Sequence, residues 1–302
     1  MYGRVLERAD VLLLQVLLRD SRASAAQIAE VTGLPAQAIP GMVARMREAG
    51  IIGDMTTKPS LLSLNARSVL VLGRSGLSSL QGLRMALERN ENVAWMAIAT
   101  GGMAYVALHL REGADLEREV RRVASEAMMA QPKAMTRELF DHGRGGHAYT
   151  KDDMRILRAL YRDSNKDLEQ VAKETGVAVR KVRERFDLMA MKGALDFSVD
   201  FFPDNCDNLL AMLRLEVLDP RGLEEKVGWL MGANAPYVMF FNAFPDTPGT
   251  LTSMVIPESM GGLRAVLRSF EESGAFGHVA TDLLLGSTIR DTWRDRMLRG
   301  PE

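Results

Sequence analysis

The stretch Asp10–Ile52, DVLLLQVLLRDSRASAAQIAEVTGLPAQAIPGMVARMREAGII, returns without a gap as Asp153–Leu195, DMRILRALYRDSNKDLEQVAKETGVAVRKVRERFDLMAMKGAL. A constant offset of 143 residues aligns the two, and 12 of the 43 positions are identical. The matched pairs include Asp10/Asp153, Arg19/Arg162, Asp20/Asp163, Ser21/Ser164, Gln27/Gln170, Thr32/Thr175, Gly33/Gly176, Met46/Met189 and Gly50/Gly193. Self-similarity at a fixed offset marks a repeated structural unit. The chain reads as an internal duplication.

Each copy has the same local physics. A first helix runs from about Asp10 to Leu18 and from Asp153 to Tyr161, and it ends at Arg-Asp-Ser, a polar break. Ser24 stands three residues before Gln27, and Asp167 three before Gln170, the spacing of a capping box opening a second helix. That helix stops at Thr-Gly, where Gly33 and Gly176 can take the left-handed conformation that closes it. In the third helix Ile39, Val43 and Met46, or Val182, Phe186 and Met189, are spaced four then three, so they share one face. Three short helices with a glycine turn before the last describe a helix-turn-helix. The segments Leu61–Leu64 and Asp196–Phe202 are the expected wings.

The repetition extends beyond the helices. Ser68–Leu72 and Leu209–Leu218 read as strands, Leu77–Arg89 and Pro220–Met231 as helices, and Val93–Ala99 and Tyr237–Asn242 as strands. Met103–Leu110 and Leu251–Ile256 read as strands, Gly113–Met129 and Glu258–Ser273 as helices, and Ala134–Arg137 and His278–Leu285 as last strands. This order is the ferredoxin-like βαββαβ plan. The expected fold is therefore α+β, a tandem repeat of a winged helix-turn-helix followed by a ferredoxin-like domain. The expected boundaries are 1–65 and 151–204 for the helical units, 66–138 and 205–302 for the sheet domains, and 139–150 for a Gly/His linker.

Bulk composition bounds the function. The 302 residues are 47% hydrophobic and 25% charged, with a net charge of -1, ordinary values for a soluble globular protein. DNA affinity comes largely from phosphate neutralisation, so any nucleic-acid surface here must be local. The single cysteine, Cys206, excludes a disulfide framework and a multi-cysteine zinc site. The apolar run Val11–Leu18 is interrupted by Gln15 and is far short of the ~20 residues of a membrane span. Its counterpart Met154–Tyr161 carries Arg155 and Arg158 in mid-chain, which argues against a signal peptide. A cytoplasmic protein is expected.

The wording Ile28-Ala29-(x)3-Thr32-Gly33-Leu34 … Gly50-Ile51-Ile52, followed by βαββαβ, resembles the Lrp/AsnC family of bacterial and archaeal transcription regulators. Asn92-Val93-Ala94-Trp95 … Ala99-Thr100-Gly101-Gly102 … Tyr105-Val106-Ala107-Leu108 looks like that family's ligand-sensing module. The resemblance covers nearly the whole chain, twice. It implies double-stranded DNA as partner, a small-molecule effector such as an amino acid, and a homodimer. Family members usually carry one copy, so a tandem chain resembles a covalent pseudo-dimer. The chain departs from the pattern where the third helix begins. Pro35 and Ala178 replace the usual small capping residue, and Pro40-Gly41 lie inside the first copy's third helix, which is expected to start near Ile39.

The candidate DNA-contacting residues are Arg180, Lys181, Arg183 and Arg185 in the second copy, since guanidinium groups at a recognition helix reach guanine edges and phosphates. Glu184 and Asp187 are interleaved, so a solvated charged face is the alternative. In the first copy the candidates are Gln37, Arg45 and Arg47. Lys151, Lys166, Lys173 and Lys192 are candidates for added phosphate contacts, with solubilising charge, the usual role of isolated lysines on helices, as the alternative. For an effector the candidates are the turn Thr100-Gly101-Gly102, where glycines allow close backbone approach, and Asn242 in the second copy. A plain hairpin turn is the alternative. Asp141–His147 reads as a flexible linker, with a metal held by His142 and His147 the weaker reading.

No Ser/His/Asp or Cys/His constellation is visible. The expectation is thus a non-enzyme with no catalytic residue, metal or cofactor. The first functional reading is a transcription regulator modulated by an effector. The alternatives are a ligand-sensing or protein-interaction scaffold that has lost DNA binding, and an enzyme similar to the siroheme decarboxylases.

Overall fold

The computed structural model describes residues 4–139, 146–219, 221–234 and 237–299. The first half begins with α1 (Arg8–Leu17), α2 (Ala25–Thr32), a 3-10 turn at Ala36–Ala38, and α3 (Ile39–Glu48). The capping box forms at α2: the Ser24 hydroxyl accepts the Gln27 amide at 3.3 Å, and the Gln27 side chain accepts the Ser24 amide at 2.9 Å. Gly33 closes the helix at φ +71°. Thr32 explains its own repetition. Its hydroxyl donates to the Ile28 carbonyl at 2.6 Å and accepts the Leu34 amide at 3.2 Å, tying helix end to turn. The α3 helix starts at Ile39, as the Pro40 position requires, with the proline in its first turn.

A wing strand, β1 (Ile52–Pro59), leads into β2 (Arg67–Ser75), α4 (Leu80–Ala86), β3 (Val93–Ala99), β4 (Met103–Leu110), α5 (Leu116–Glu126) and β5 (Met129–Arg137). The second half repeats this order with α6 (Lys151–Leu160), α7 (Leu168–Thr175), α8 (Val179–Met191), β6 (Leu195–Phe201), β7 (Ala211–Val217), α9 (Leu223–Asn234), β8 (Val238–Ala243), β9 (Thr250–Val255), α10 (Met260–Glu272) and β10 (Phe276–Ile289). It then adds a C-terminal helix, α11 (Trp293–Arg299). Thr175 and Gly176 act as Thr32 and Gly33 do, with the hydroxyl on the Val171 carbonyl at 2.7 Å and Gly176 at φ +71°. The second expected capping box does not form. Asp167 caps Glu169 at 3.1 Å, while the Gln170 side chain turns to Glu174 at 3.0 Å.

Two sheet arrangements differ from the simplest expectation. Leu61–Leu64 is a turn, not a wing; the wing is Ile52–Pro59. Neither wing folds back as a hairpin. Instead β1 and β6 pair with each other, antiparallel, from Ile52↔Phe201 to Pro59↔Leu195. The remaining eight strands form one row, β5-β2-β4-β3-β10-β7-β9-β8. Each half contributes a ferredoxin-like order, and they join where β3 pairs with β10. The outer ends approach one another as well: the Glu138 amide donates to the Ala243 carbonyl at 2.8 Å, and the Thr136 amide to Asp246 at 2.7 Å. The row therefore curls on itself.

One face of this sheet carries α4 and α5 over Val69, Val71, Met96 and Val106. It also carries α9 and α10 over Leu213, Leu215 and Val255. The opposite face holds Leu70, Leu72, Tyr105, Met135, Met212 and Met254, and these pack in one cluster with Leu13, Leu14, Leu17 and Ile28 of the first helical unit. That unit shares its core with the inside of the sheet. The second unit has a core of its own, built from Ile156, Leu160, Val171, Phe186 and Met189, with Leu298 of α11 added.

Candidate nucleic-acid interface

The two helical units meet at a seam made of matched residues. Ser21 and Ser164 occupy equivalent slots in the repeat, and their buried hydroxyls touch at 2.9 Å. A residue that contacts its own equivalent lies on a local two-fold axis. The residues one step on complete it. Arg22 donates to the Ser164 carbonyl, and Asn165 donates to the Ser21 carbonyl at 3.2 Å. The Arg22 guanidinium also sits 4.8 Å from the ring centroid of Phe186 in α8. A cation over an aromatic face adds attraction there. In sequence, Arg-Asp-Ser reads only as a polar break. Its repetition was the available signal for this seam.

The candidate cations of α8 are all engaged, in different ways. Arg180 reaches Glu184 at 3.0 Å, and Arg183 reaches Glu169 at 3.2 Å, both well exposed. Lys181 pairs with Asp152 at the start of α6. Such surface pairs are worth little to stability. Arg185 differs. It grips the fully buried Asp153 through two bonds, 2.7 and 2.6 Å. His147 adds a third contact at 3.1 Å, and the Thr150 amide a fourth at 2.8 Å. Burial alone would raise the Asp153 carboxyl, but Arg185, Thr150 and His147 outweigh it and hold the group at about 2. His147, read as part of a linker, is thus buried and edge-on to Tyr149. His142 lies outside the described residues. In the first unit Gln37, Arg45 and Arg47 are exposed on the 3-10 turn and α3.

The expected effector turn joins β3 to β4. Gly101 and Gly102 lie at φ +69° and +74°, conformations that favour glycine. The Thr100 hydroxyl accepts the Leu283 amide at 3.2 Å, fastening the turn to β10 of the other half. Asn242 donates to Thr252 at 3.2 Å. Between these positions the inner sheet face holds a polar group that sequence reading missed. The Tyr105 hydroxyl donates to Asp282, and Arg214 meets the same carboxylate at 2.9 Å. Burial and the adjacent carboxylate push the Tyr105 hydroxyl far above its usual range. These residues lie on strands far apart in sequence, so no local pattern marks them.

A second missed cluster lies under α11. Lys58 and Tyr161 reach Asp295 at 2.6 and 2.8 Å, Arg294 pairs with Asp196 and reaches the Pro59 carbonyl at 3.1 Å, and the Trp293 indole donates to the His109 carbonyl at 2.8 Å. Burial, with Arg294, Arg137 and Lys58 nearby, pushes His109 well below the ordinary histidine range. Among the described residues no group of three or more His, Cys, Asp or Glu is placed to hold a metal ion, and no helix is long and apolar enough to cross a membrane.

Residues 6–52 match the winged helix-turn-helix DNA-binding family. No curated protein matches the chain. Among solved structures, the siroheme decarboxylase NirDL superposes with a TM-score of 0.63 at 14% identity, covering 97% of this chain and 96% of that one. NirDL in co-complex with an iron-uroporphyrin III analogue gives 0.61 at 13%, covering 97% of both chains. AsnC from E. coli covers 49% of this chain, and 99% of its own, at 16% identity and a TM-score of 0.41. The chain thus carries an N-terminal winged helix-turn-helix and a ferredoxin-like region. The expectation of a non-enzyme is corrected: a fold shared from end to end at these TM-scores is that of a decarboxylase, an enzyme.

Proposed function

We propose that the chain is a sequence-specific DNA-binding transcription regulator whose two helix-turn-helix units read two half-sites. The observation that supports this most is the Ser21–Ser164 seam. It relates the two units by a local two-fold, the arrangement by which paired helix-turn-helix units address duplex DNA. In this reading 1–65 and 151–204 are the reading heads, and 66–138 and 205–302 are sensing domains that arose with them by duplication. Arg180, Lys181 and Arg183 contact DNA from the second head. Arg185 braces the helix that presents them. Gln37, Arg45 and Arg47 serve the first head. An effector, such as an amino acid, binds near Thr100, Gly101, Gly102 and Asn242. The protein acts in the cytoplasm, and two chains pair as a homodimer with four heads.

Selection of bound sequences from random duplex DNA tests this. A motif with two parts is expected, and Arg180→Ala, Lys181→Ala and Arg183→Ala together should erase one part. No enriched motif, or one indifferent to these changes, overturns the proposal. A second reading rests on the end-to-end likeness to NirDL. Titration with iron-uroporphyrin, followed by visible absorption, tests it, and an unshifted spectrum at saturating protein counts against it.

A further inference from the structure

The α6 helix presents a charged face that the proposed recognition helix does not use. Lys151, Arg155 and Arg158 fall at spacings of four and three in a stripe on one face of α6, and Arg162 follows just past its end. All four are exposed. Two shallow hollows line the stripe and share Arg158. One is bounded by Lys151, Met154 and Arg155, the other by Arg162 and Lys166. Arg155 and Arg162 have loosely held carboxylate partners, Asp152 at 3.3 Å and Asp54 at 3.4 Å. None of the ion pairs among the described residues involves Lys151 or Arg158.

The matching face in the first half shows that this charge is not inherited packing. There the slots hold Arg8, Leu12, Gln15 and Arg19. Leu12 and Gln15 are half-buried, and Gln15 donates to the Val238 carbonyl of β8 at 2.7 Å, docking α1 on the sheet. Where one copy has Leu and Gln against protein, the other has two arginines facing water. The stripe is also continuous with the second reading head, because Asp152 is shared by Arg155 and by Lys181 of α8.

We infer that the α6 stripe is a phosphate-binding surface, contacting the duplex backbone beside the half-site read by α8; this rests on the DNA-binding reading above. The helical part of the stripe, Lys151 to Arg158, spans about 10 Å at ~1.5 Å per residue. A duplex presents about six phosphate charges over that length, at one per ~1.7 Å. Phosphate contact carries no base information, so the stripe adds affinity and register mainly on one side, since the first half keeps only the two end cations, Arg8 and Arg19.

The test is the salt dependence of binding for full-length protein carrying Lys151→Ala and Arg158→Ala, on a selected duplex and on a random one. The slope of log affinity against log salt should fall by about 2, at ~0.9 per phosphate contact. The loss should be equal on both duplexes. Hydroxyl-radical protection should shrink on the flank of the α8 half-site alone. Lys151→Arg with Arg158→Lys should restore the slope, because phosphate accepts either cation. An unchanged slope and footprint, with wild-type protein still binding DNA, overturn the stripe but leave the DNA reading intact. Absence of duplex binding by wild-type protein at low salt overturns both.

Discussion

Asp153 sits at the third position of α6 and accepts from Arg185, Thr150 and His147 at once. Its equivalent Asp10 does the same work in α1 with Arg4 at 2.9 Å and the Glu7 amide at 3.3 Å. The identity is therefore a helix-start device, and the cation that satisfies it comes from a different place in each half. Arg185→Ala takes the bidentate cation from a buried carboxylate and should cost about 3 kcal/mol in urea unfolding. Arg183→Ala, whose pair is exposed, should cost under ~1 kcal/mol. The pH signature comes from the direction of each shift. Asp153 and Asp295 are both held at about 2, below the ordinary 3.8. Their contribution is complete above 3.8 and is lost as pH falls towards 2. His109 is held neutral, so the unfolded chain takes up a proton before the folded one does. Stability should therefore begin to fall as pH drops below the ordinary histidine value of 6.5. His109→Gln should remove that upper part of the acid limb in thermal melts from pH 7 to 5, and an unaltered limb would refute it.

At the scale of elements, the wings and α11 do what neither half does alone. Pairing of β1 with β6 gives each wing the ladder partner that a single two-stranded hairpin would otherwise need to supply for itself. The α11 helix crosses this ribbon and fastens the second helical unit to β4 of the first half through Trp293, Arg294 and Asp295. Trp293 is 3% exposed, beside Leu61 and Ala66. Trp293→Ala should cost about 3–5 kcal/mol by the cavity it leaves. It should also raise hydrogen exchange at Thr57, whose amide is held by the Tyr161 carbonyl at 3.3 Å. Exchange there as slow as in the wild type would show that α11 does not hold the seam.

For the whole molecule, the decisive property is unequal halves about a local two-fold. The first head shares its core with the inner sheet face, whereas the second keeps a separate one. On stability grounds the second head should open first, with α7 and α8 amides exchanging before those of α1 and α2 in native-state hydrogen exchange. Equal protection in both heads would contradict this. The heads also differ in reach: α8 has 13 residues and α3 has 10. If the chain reads DNA as proposed, its two half-sites should accordingly be unlike, and a symmetric palindrome recovered from selection would be the wrong outcome.

The information written in the chain alone is local. Period, capping residues, Thr-Gly stops and a constant offset all lie within a turn or two of chain, so the helices, most strands and the repeat were legible from them. Val93–Ala99 and Met103–Leu110 were legible to the residue. Whatever joins distant segments was settled by packing in three dimensions. Packing chose β10 as the neighbour of β3, turned two wings into one ribbon, and drew Arg185 inward to Asp153 while leaving Arg158 in solvent. A strand edge carries the same unpaired amides whatever its sequence, and arginines on one helix look alike until their neighbours are known. The repeat thus specified two similar modules, and only their packing against each other made them different.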